Sequence, residues 1–272
     1  MRPGSPTQSA PGDPLIEVLN LCKTFHDRKK GPIPAVLNVS FTCSPGRVFG
    51  LLGRNGAGKT TTLRMLATIL YPTSGTARID GIDVNQNPGE VRKRIGYLSG
   101  DTKLYDRLTG RELLTYFGEL AGMSPASIAG RIAELQVSFQ LADFLDKRVG
   151  KMSTGMKQRL SLCRVVLHDP PVLIFDEPTS GLDVMGAREV LRIVQDLKSK
   201  GRTIIFSTHI MTEAEKICDE IAIIERGSIL AKGNLDSLRR EHGGGSLEDV
   251  FVSTVEKVTP EEAGRAGERV RP

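Results

Sequence analysis

The chain of 272 residues contains no tryptophan, and only 5% of its residues are aromatic. Its hydrophobic content of 39% is nevertheless typical of a globular protein, so the core has to be mainly aliphatic. No stretch approaches the roughly eighteen consecutive apolar residues that a membrane-spanning helix needs. We therefore expect that any membrane span belongs to another chain.

Cysteine is also scarce, with Cys22, Cys43, Cys163 and Cys218 far apart in the sequence. Their spacing fits no zinc, iron–sulfur or redox motif. We predict that they are small buried hydrophobic residues of a protein in a reducing compartment.

The formal net charge is +5, and part of the excess lies in Arg28–Lys30 and in Arg239–Arg240. Such segments can be solvated loops, a nucleic-acid patch or a surface attracted to anionic lipid. The basic residues are not interleaved with aromatic ones, which argues against stacking on single-stranded bases. We interpret them as solvated loops and expect no nucleic-acid partner.

The most informative stretch fits the phosphate-loop pattern G-x-x-x-x-G-K-[ST] at every fixed position. It consists of Gly53, Arg54, Asn55, Gly56, Ala57, Gly58, Lys59, Thr60 and Thr61. The apolar run Val48–Leu52 precedes it, and apolar residues at helical spacing follow it. The stretch is therefore predicted to join a strand to a helix, which is the context that the motif requires.

The physics of this loop predicts a nucleoside triphosphate with Mg²⁺. Successive backbone N–H groups form a concave nest for phosphate oxygens, and glycine permits the positive φ angles of such a nest. The following helix directs its positive end at the same anion. Lys59 can reach the β- and γ-phosphates, and the hydroxyl of Thr60 can bind Mg²⁺.

Two carboxylates, Asp176 and Glu177, end the apolar run Val172–Phe175. A solvent-facing turn before Pro178 is the plainer interpretation, but the phosphate loop favours a functional one. Asp176 would hold Mg²⁺ through its water shell, while Glu177 would orient and deprotonate the attacking water.

The pattern of elements predicts an α/β protein with a folded domain over residues 15–252. Alternating residues from Leu15 to Cys43 predict strands around a polar loop at 28–34, and residues 100–168 predict a helical insertion. Within it, Leu113, Leu114, Phe117 and Leu120 form one apolar face, and Ser124-Pro125 is a typical helix start. Residues 1–14 are predicted to be a flexible lead, and 253–272 a frayed tail.

The phosphate loop is followed by Met152–Arg159, Asp176–Pro178, Ser180–Asp183 and Ser207–His209. In this order the motifs resemble those of the ABC-type ATPases, over nearly the whole chain. The resemblance implies a P-loop NTPase core with an antiparallel β subdomain and an inserted α-helical subdomain. It also implies ATP hydrolysis and a second ATPase subunit, identical or paralogous, placed head to tail.

The resemblance assigns further roles. Phe25 matches the aromatic residue that stacks on adenine, with a strand-end core residue as the alternative. The segment Ser153-Thr154-Gly155-Met156 matches the signature that approaches the γ-phosphate bound to the partner subunit. Asp183 matches the residue that links the two active sites, and His209 the histidine that contacts the γ-phosphate.

The sequence departs from the family pattern in two places. Its signature reads Met-Ser-Thr-Gly-Met, with Thr154 where glycine is common. Gly100 stands where the family usually has a glutamine that touches Mg²⁺ and relays to the membrane partner. Water or Asp101 could take the place of that side chain at the metal.

The stretches Leu98–Thr102, Leu104–Thr109 and Leu247–Phe251 resemble the sodium-export (NatA-like) and ABC-2 type exporter branch. This resemblance implies a peripheral ATPase subunit at the cytoplasmic face of the inner or plasma membrane. It would power export of a solute, possibly sodium, through a separate transmembrane permease subunit. The alternative is a soluble ABC ATPase acting on a nucleic-acid or ribosomal partner. The single cassette and the lack of a long coiled coil favour the exporter.

Overall fold

The computed structural model describes residues 13–100 and 103–257. The strands are β1 (Ile16–Asp27), β2 (Gly31–Cys43), β3 (Val48–Leu52), β4 (Ser74–Ile79), β5 (Ile82–Asp83), β6 (Ile95–Ser99), β7 (Val172–Asp176), β8 (Thr203–Thr208), β9 (Glu220–Glu225) and β10 (Ser228–Gly233). The helices are α1 (Lys59–Leu66), α2 (Pro88–Arg94), α3 (Gly110–Leu120), α4 (Pro125–Ser138), α5 (Thr154–Val166), α6 (Val184–Ser199), α7 (Met211–Ile217), α8 (Leu235–Glu241) and α9 (Leu247–Glu256).

The larger sheet has the strand order β10-β9-β3-β8-β7-β6 and is parallel except for β10. All residues of β3, β7 and β8 are buried, because the sheet is covered on both faces. Along β7, Leu173 and Phe175 join one buried cluster with the helices α3 to α6. Val172 and Ile174 join the opposite cluster, with α1 and the smaller sheet. The predicted α/β architecture is confirmed.

The smaller sheet is antiparallel, with the order β2-β1-β4-β5. It packs on the parallel sheet through Phe41 of β2 and Phe49 of β3, whose stacked rings lie 4.4 Å apart. The predicted loop at 28–34 is shorter than expected, because Gly31–Pro34 pair with β1. Proline is tolerated there because β2 is an edge strand.

The helices α3, α4 and α5 lie in the chain between β6 and β7. The predicted start of α4 is confirmed: Ser124 accepts a hydrogen bond from the amide of Ser127, and Pro125 is the first helical residue. On α3, Leu113 and Leu114 are buried as expected. Leu120 was predicted to share this face, but it is 65% exposed because it lies in the last turn of the helix.

The prediction of a frayed tail from residue 253 is wrong for its first residues, because α9 continues to Glu256. A reciprocal capping pair between Ser246 and Asp249 starts this helix, and Val250, Phe251 and Thr254 are buried. The predictions for residues 1–12 and 258–272 lie outside the described residues. None of the helices in residues 13–100 and 103–257 is long and apolar enough to cross a membrane.

Close packing of β6 against α5 depends on Gly96, because a β-carbon there would lie 2.4 Å from the carbonyl oxygen of Val165. We expect Gly96→Ala to destabilise the fold by about 1–3 kcal/mol through overpacking, and to lower the melting temperature measured by calorimetry. Gly89→Ala in α2 is the matched control, since its β-carbon would meet no atom within 4 Å. Equal melting temperatures for the two variants would contradict this account.

Candidate nucleotide site

The candidate site lies where parallel strands end at one edge of the larger sheet. There β3 leads into the phosphate loop, β7 ends at Asp176 and β8 ends at Thr208. The register pairs Asp176 with Ser207 on one side and with Ser99 of β6 on the other. This edge of an open parallel sheet is the usual place for a ligand in such folds.

The phosphate loop has the backbone that its glycines predict. Gly56 and Gly58 have φ angles of 82° and 106°, a region that favours glycine. At Gly58 a β-carbon would also lie 2.6 Å from the carbonyl oxygen of Ala35. Because α1 begins at Lys59, its free amides and its positive end face the loop.

Lys59 is 4% exposed and is held from three directions. Its Nζ donates to the carbonyl oxygens of Gly53 at 2.7 Å and Arg54 at 3.1 Å. The same ammonium lies 3.0 Å from Oε1 of Glu177. These contacts fix the ammonium at the wall of a small cavity lined by residues 54–61, Ala35 and Glu177.

Asp176 is buried, and its carboxylate accepts two hydroxyl hydrogen bonds. Oδ1 accepts from Ser207 at 2.7 Å and from Thr60 at 3.2 Å. Burial raises the pKa of Asp176 above its usual value, and the two hydroxyls oppose that shift. A cation at this position would further stabilise the charged form.

The residues present fit a magnesium ion of the kind that a nucleotide brings with it. Thr60 and Asp176 supply one hydroxyl and one carboxylate, both hard oxygen donors. Mg²⁺ commonly takes one or two carboxylates and completes its shell with phosphates and water. Within the described residues no cluster of three or more histidine, cysteine or acidic side chains could hold a metal without such help.

Glu177 lies between Lys59 and His209. While Oε1 faces the lysine, Oε2 lies 3.2 Å from Nδ1 of His209. The backbone of Glu177 has a φ of 49°, which is unusual for a residue with a side chain. Its amide is bound by the carbonyl and the hydroxyl of Ser207, at 3.2 Å and 3.0 Å. The neighbouring strand therefore holds this strained conformation.

The signature segment lies around a different cavity. Ser153 caps α5 by accepting from the amide of Met156 at 3.3 Å, and Thr154 begins the helix. Thr154 is outside the left-handed region, so its departure from glycine causes no backbone strain. Ser153, Thr154, Gly155 and Asp183 line one cavity, which shares no lining residue with that of the phosphate loop.

Phe25 and Gly100 are not among the residues that line the phosphate-loop cavity. Phe25 lies on β1, 40% exposed, with the ammonium of Lys23 5.3 Å from the centre of its ring. Gly100 follows the strand partner of Asp176, and a β-carbon on Gly100 would have the carbonyl oxygen of Asp176 as its nearest neighbour, at 3.7 Å. The alternative metal contact through Asp101 lies outside the described residues.

Sequence reasoning missed two contacts at this site. Ser207 was only part of a motif, yet it holds both Asp176 and the amide of Glu177. Gln158 of the signature helix donates to the carbonyl oxygen of Pro178, which directly follows Glu177. Pairing the ends of the two predicted parallel strands would have placed Ser207 beside Asp176. No feature of the local sequence identifies Gln158 as a contact of Pro178.

A parallel sheet, a glycine loop before a helix and a buried acidic strand end define a P-loop NTPase. Residues 36–180 match the family model described as ABC transporter. The chain is 42% identical over 240 residues to "ABC transporter ATP-binding protein NatA" of Bacillus subtilis (strain 168), covering 88% of this chain and 97% of that protein. The chain belongs to the ABC transporter ATP-binding family, and it is an ATPase subunit.

Two further similarities agree with this assignment. The chain is 38% identical to "Nod factor export ATP-binding protein I" of Rhizobium sp. (strain N33), over 87% of this chain and 76% of that protein. A solved structure titled "Structure of ATP binding subunit of ABC transporter" has a TM-score of 0.79 and 32% identity, covering 89% of this chain and 99% of that one.

Replacing Lys59 tests the phosphate loop. Because a charge-assisted hydrogen bond contributes about 1.5–3 kcal/mol, we expect Lys59→Ala to weaken ATP and ADP binding at least about tenfold in calorimetric titrations. The control is Lys93→Ala, an exposed lysine paired with Glu90 on α2. Near-normal ATP affinity in the folded Lys59 variant would contradict this assignment.

Proposed function

We propose that two copies of this chain, or one copy and a paralogue, hydrolyse ATP at shared sites and power export through a separate membrane subunit. The observation that carries the proposal is a pair of contacts made by Glu177. Its Oε1 lies 3.0 Å from Nζ of Lys59, and its Oε2 lies 3.2 Å from Nδ1 of His209. It places a carboxylate between a phosphate-binding ammonium and an imidazole.

Each residue has a task in this proposal. The phosphate loop Gly53–Thr61 cradles the phosphates, and Phe25 stacks on the adenine. Thr60 and Asp176 would hold Mg²⁺, which would supply positive charge beside the phosphoryl group. Glu177 accepts a proton from the attacking water, and His209 contacts the γ-phosphate and keeps Glu177 oriented.

The separation of the two cavities supports a site completed by a second subunit. Ser153, Gly155 and Asp183 share a cavity that the phosphate loop does not reach within one chain. Beside it, Val184 and Met185 are 71% and 70% exposed at the start of α6. Apolar side chains exposed together are typical of an interaction surface. We propose that this face covers the phosphate loop of the other ATPase subunit.

A second face suits the membrane subunit. A groove between β6, α3 and α5 has a volume of about 580 Å³ and includes Tyr97, Ser99 and Phe117. At its rim, Ile69 and Leu120 are 55% and 65% exposed. Ser99 is the strand partner of Asp176, so β6 connects the proposed metal site to this groove. We propose that a cytoplasmic segment of the membrane subunit binds here, which would make this chain peripheral to the membrane.

The cargo remains a separate part of the proposal. Resemblance to sodium-export subunits makes sodium the first candidate, whereas one relative is named for the export of Nod factors. Residues that bind cargo would belong to the membrane subunit. Measuring sodium flux in vesicles that contain both subunits decides between an ion and an organic solute.

Removing the proposed base tests the hydrolytic step. We expect Glu177→Gln to reduce the turnover of ATP at least about a hundredfold, because it removes general-base catalysis. ATP should still bind, and a dimer should accumulate in size-exclusion chromatography with light scattering. Glu220→Gln, an exposed acid at the start of β9, is the control. Normal turnover in Glu177→Gln would refute the role of this carboxylate.

The shared site makes a separate prediction for Ser153→Arg. Made in the Glu177→Gln background, this change should abolish the ATP-dependent dimer by filling the signature cavity, while the nucleotide affinity of the monomer stays within about twofold. Loss of a helix cap alone costs about 1 kcal/mol. Ser124→Arg removes an equivalent cap from α4 and is the matched control. Equal loss of monomer binding would contradict a role of Ser153 in the partner's site.

A further inference from the structure

The helix α7 contains a buried carboxylate with no function in the scheme above. Glu213 is 5% exposed, and its Oε2 accepts two hydroxyl hydrogen bonds. One comes from Thr179 at 3.0 Å and the other from Thr208 at 2.8 Å. Among the described residues no lysine, arginine or histidine forms an ion pair with it. Two hydroxyl donors therefore hold a buried carboxyl group.

The positions of the two threonines connect Glu213 to the site. Thr179 lies two residues after Glu177, and Thr208 directly precedes His209. Both threonine side chains are buried, so these hydrogen bonds are shielded from water. One carboxylate oxygen thus joins the turn after β7 to the end of β8.

These two segments carry groups that have to stay close together. The backbone of Glu177 is in the left-handed region, and such strain of about 1–3 kcal/mol persists only where the surroundings enforce it. Ser207 holds the amide of Glu177, and the amide of Ser180 donates to the Glu177 carbonyl at 3.1 Å. Thr179 lies inside this turn and is its connection to α7.

Burying a carboxylate only to fill space is unfavourable, because the free energy of desolvating an ion is far larger than that of burying an amide or a methylene. Packing alone would be satisfied by a methionine at position 213. A charged acceptor gives stronger and shorter hydrogen bonds than a neutral one, which suits a tie that has to hold two loops at a fixed distance.

We propose that Glu213 is a positioning residue for ATP hydrolysis: its carboxylate ties the Glu177 turn to the end of β8 and fixes the distance between Glu177 and His209. The inference rests on the proposed roles of Glu177 and His209, and it deepens them. Among the described residues, no hydrogen bond or ion pair joins Glu213 to either of them, so it acts through Thr179 and Thr208.

The test compares ATP hydrolysis by the 272-residue chain and its variants. Because a misplacement of about 1 Å can cost a hundredfold in rate, we expect Glu213→Ala to lower kcat at least about tenfold, with KM for ATP within about twofold. Glu213→Gln keeps an oxygen that can accept both hydroxyls, and it should restore kcat to within about threefold of the original chain.

A second variant addresses the case in which Glu213→Ala does not fold. The double variant Thr179→Val with Glu213→Met replaces both partners of the Thr179–Glu213 hydrogen bond with apolar groups of similar shape, an exchange that can be nearly neutral, and leaves only the Thr208 hydroxyl without its acceptor. Thr208 keeps its hydrogen bond from the amide of Ile210 in this variant. We expect the same loss of kcat at unchanged KM.

Glu215→Ala is the matched control on the same helix. Glu215 accepts from Arg239 and from the amide of Leu247, away from the catalytic groups. Its loss should lower the melting temperature and leave kcat unchanged.

The NMR chemical shifts of the His209 ring distinguish positioning from stability. If Glu213 contributed only to stability, replacing it would leave these chemical shifts unchanged. They should shift in Glu213→Ala and in the double variant, but not in Glu215→Ala. A kcat within twofold of the original chain together with unshifted His209 signals, in either tie-breaking variant, would overturn the inference.

Different experimental results would refute the positioning role of Glu213 and the proposed function. If Glu177→Gln hydrolyses ATP normally, the proposed base is wrong whatever Glu213 does. If Glu177→Gln is inactive while the Glu213 variants keep both kcat and the His209 signals, only the positioning role is wrong.

Discussion

The carboxylate of Asp176 makes the contacts on which the geometry of the site depends. It joins Thr60 of the phosphate loop to Ser207 of the neighbouring strand, and Ser207 in turn holds the amide of Glu177. Burial raises the pKa of Asp176, and the hydrogen bonds from the two hydroxyl donors oppose that shift. These contacts hold the phosphate loop and the proposed base in fixed positions relative to each other.

A second carboxylate, that of Glu213, joins the same two strand ends. It accepts hydrogen bonds from Thr179 in the turn that carries Glu177 and from Thr208 at the strand end that carries His209. The signature helix contacts this region as well, through Gln158 and the carbonyl of Pro178. A movement of α5 would therefore be transmitted to Pro178, the residue that follows Glu177. This arrangement links the face proposed for the partner subunit to the proposed base.

Several elements could be predicted from the sequence because their causes are local. The glycines of the phosphate loop, the apolar strand ending in Asp176 and the Ser124-Pro125 helix start each carry their own signal. Predictions failed where the tertiary structure decides whether a side chain is buried. Leu120 has the spacing of a buried residue but lies at an exposed helix end, and residues 253–256 look polar but continue α9 because Val250, Phe251 and Thr254 are buried.

The sequence by itself determined the class of protein, the phosphate loop and the residue types that meet a nucleotide, since these follow from motifs of adjacent residues. Only the tertiary structure decided which distant residues touch. Ser207, Gln158 and Glu213 lie 31, 20 and 34 residues from the partners that make them informative. No local pattern encodes such pairs, because they arise from the alignment of parallel strands and from helices packed against their ends. The sequence supplied the groups of the site, and strand register and packing set the distances between them.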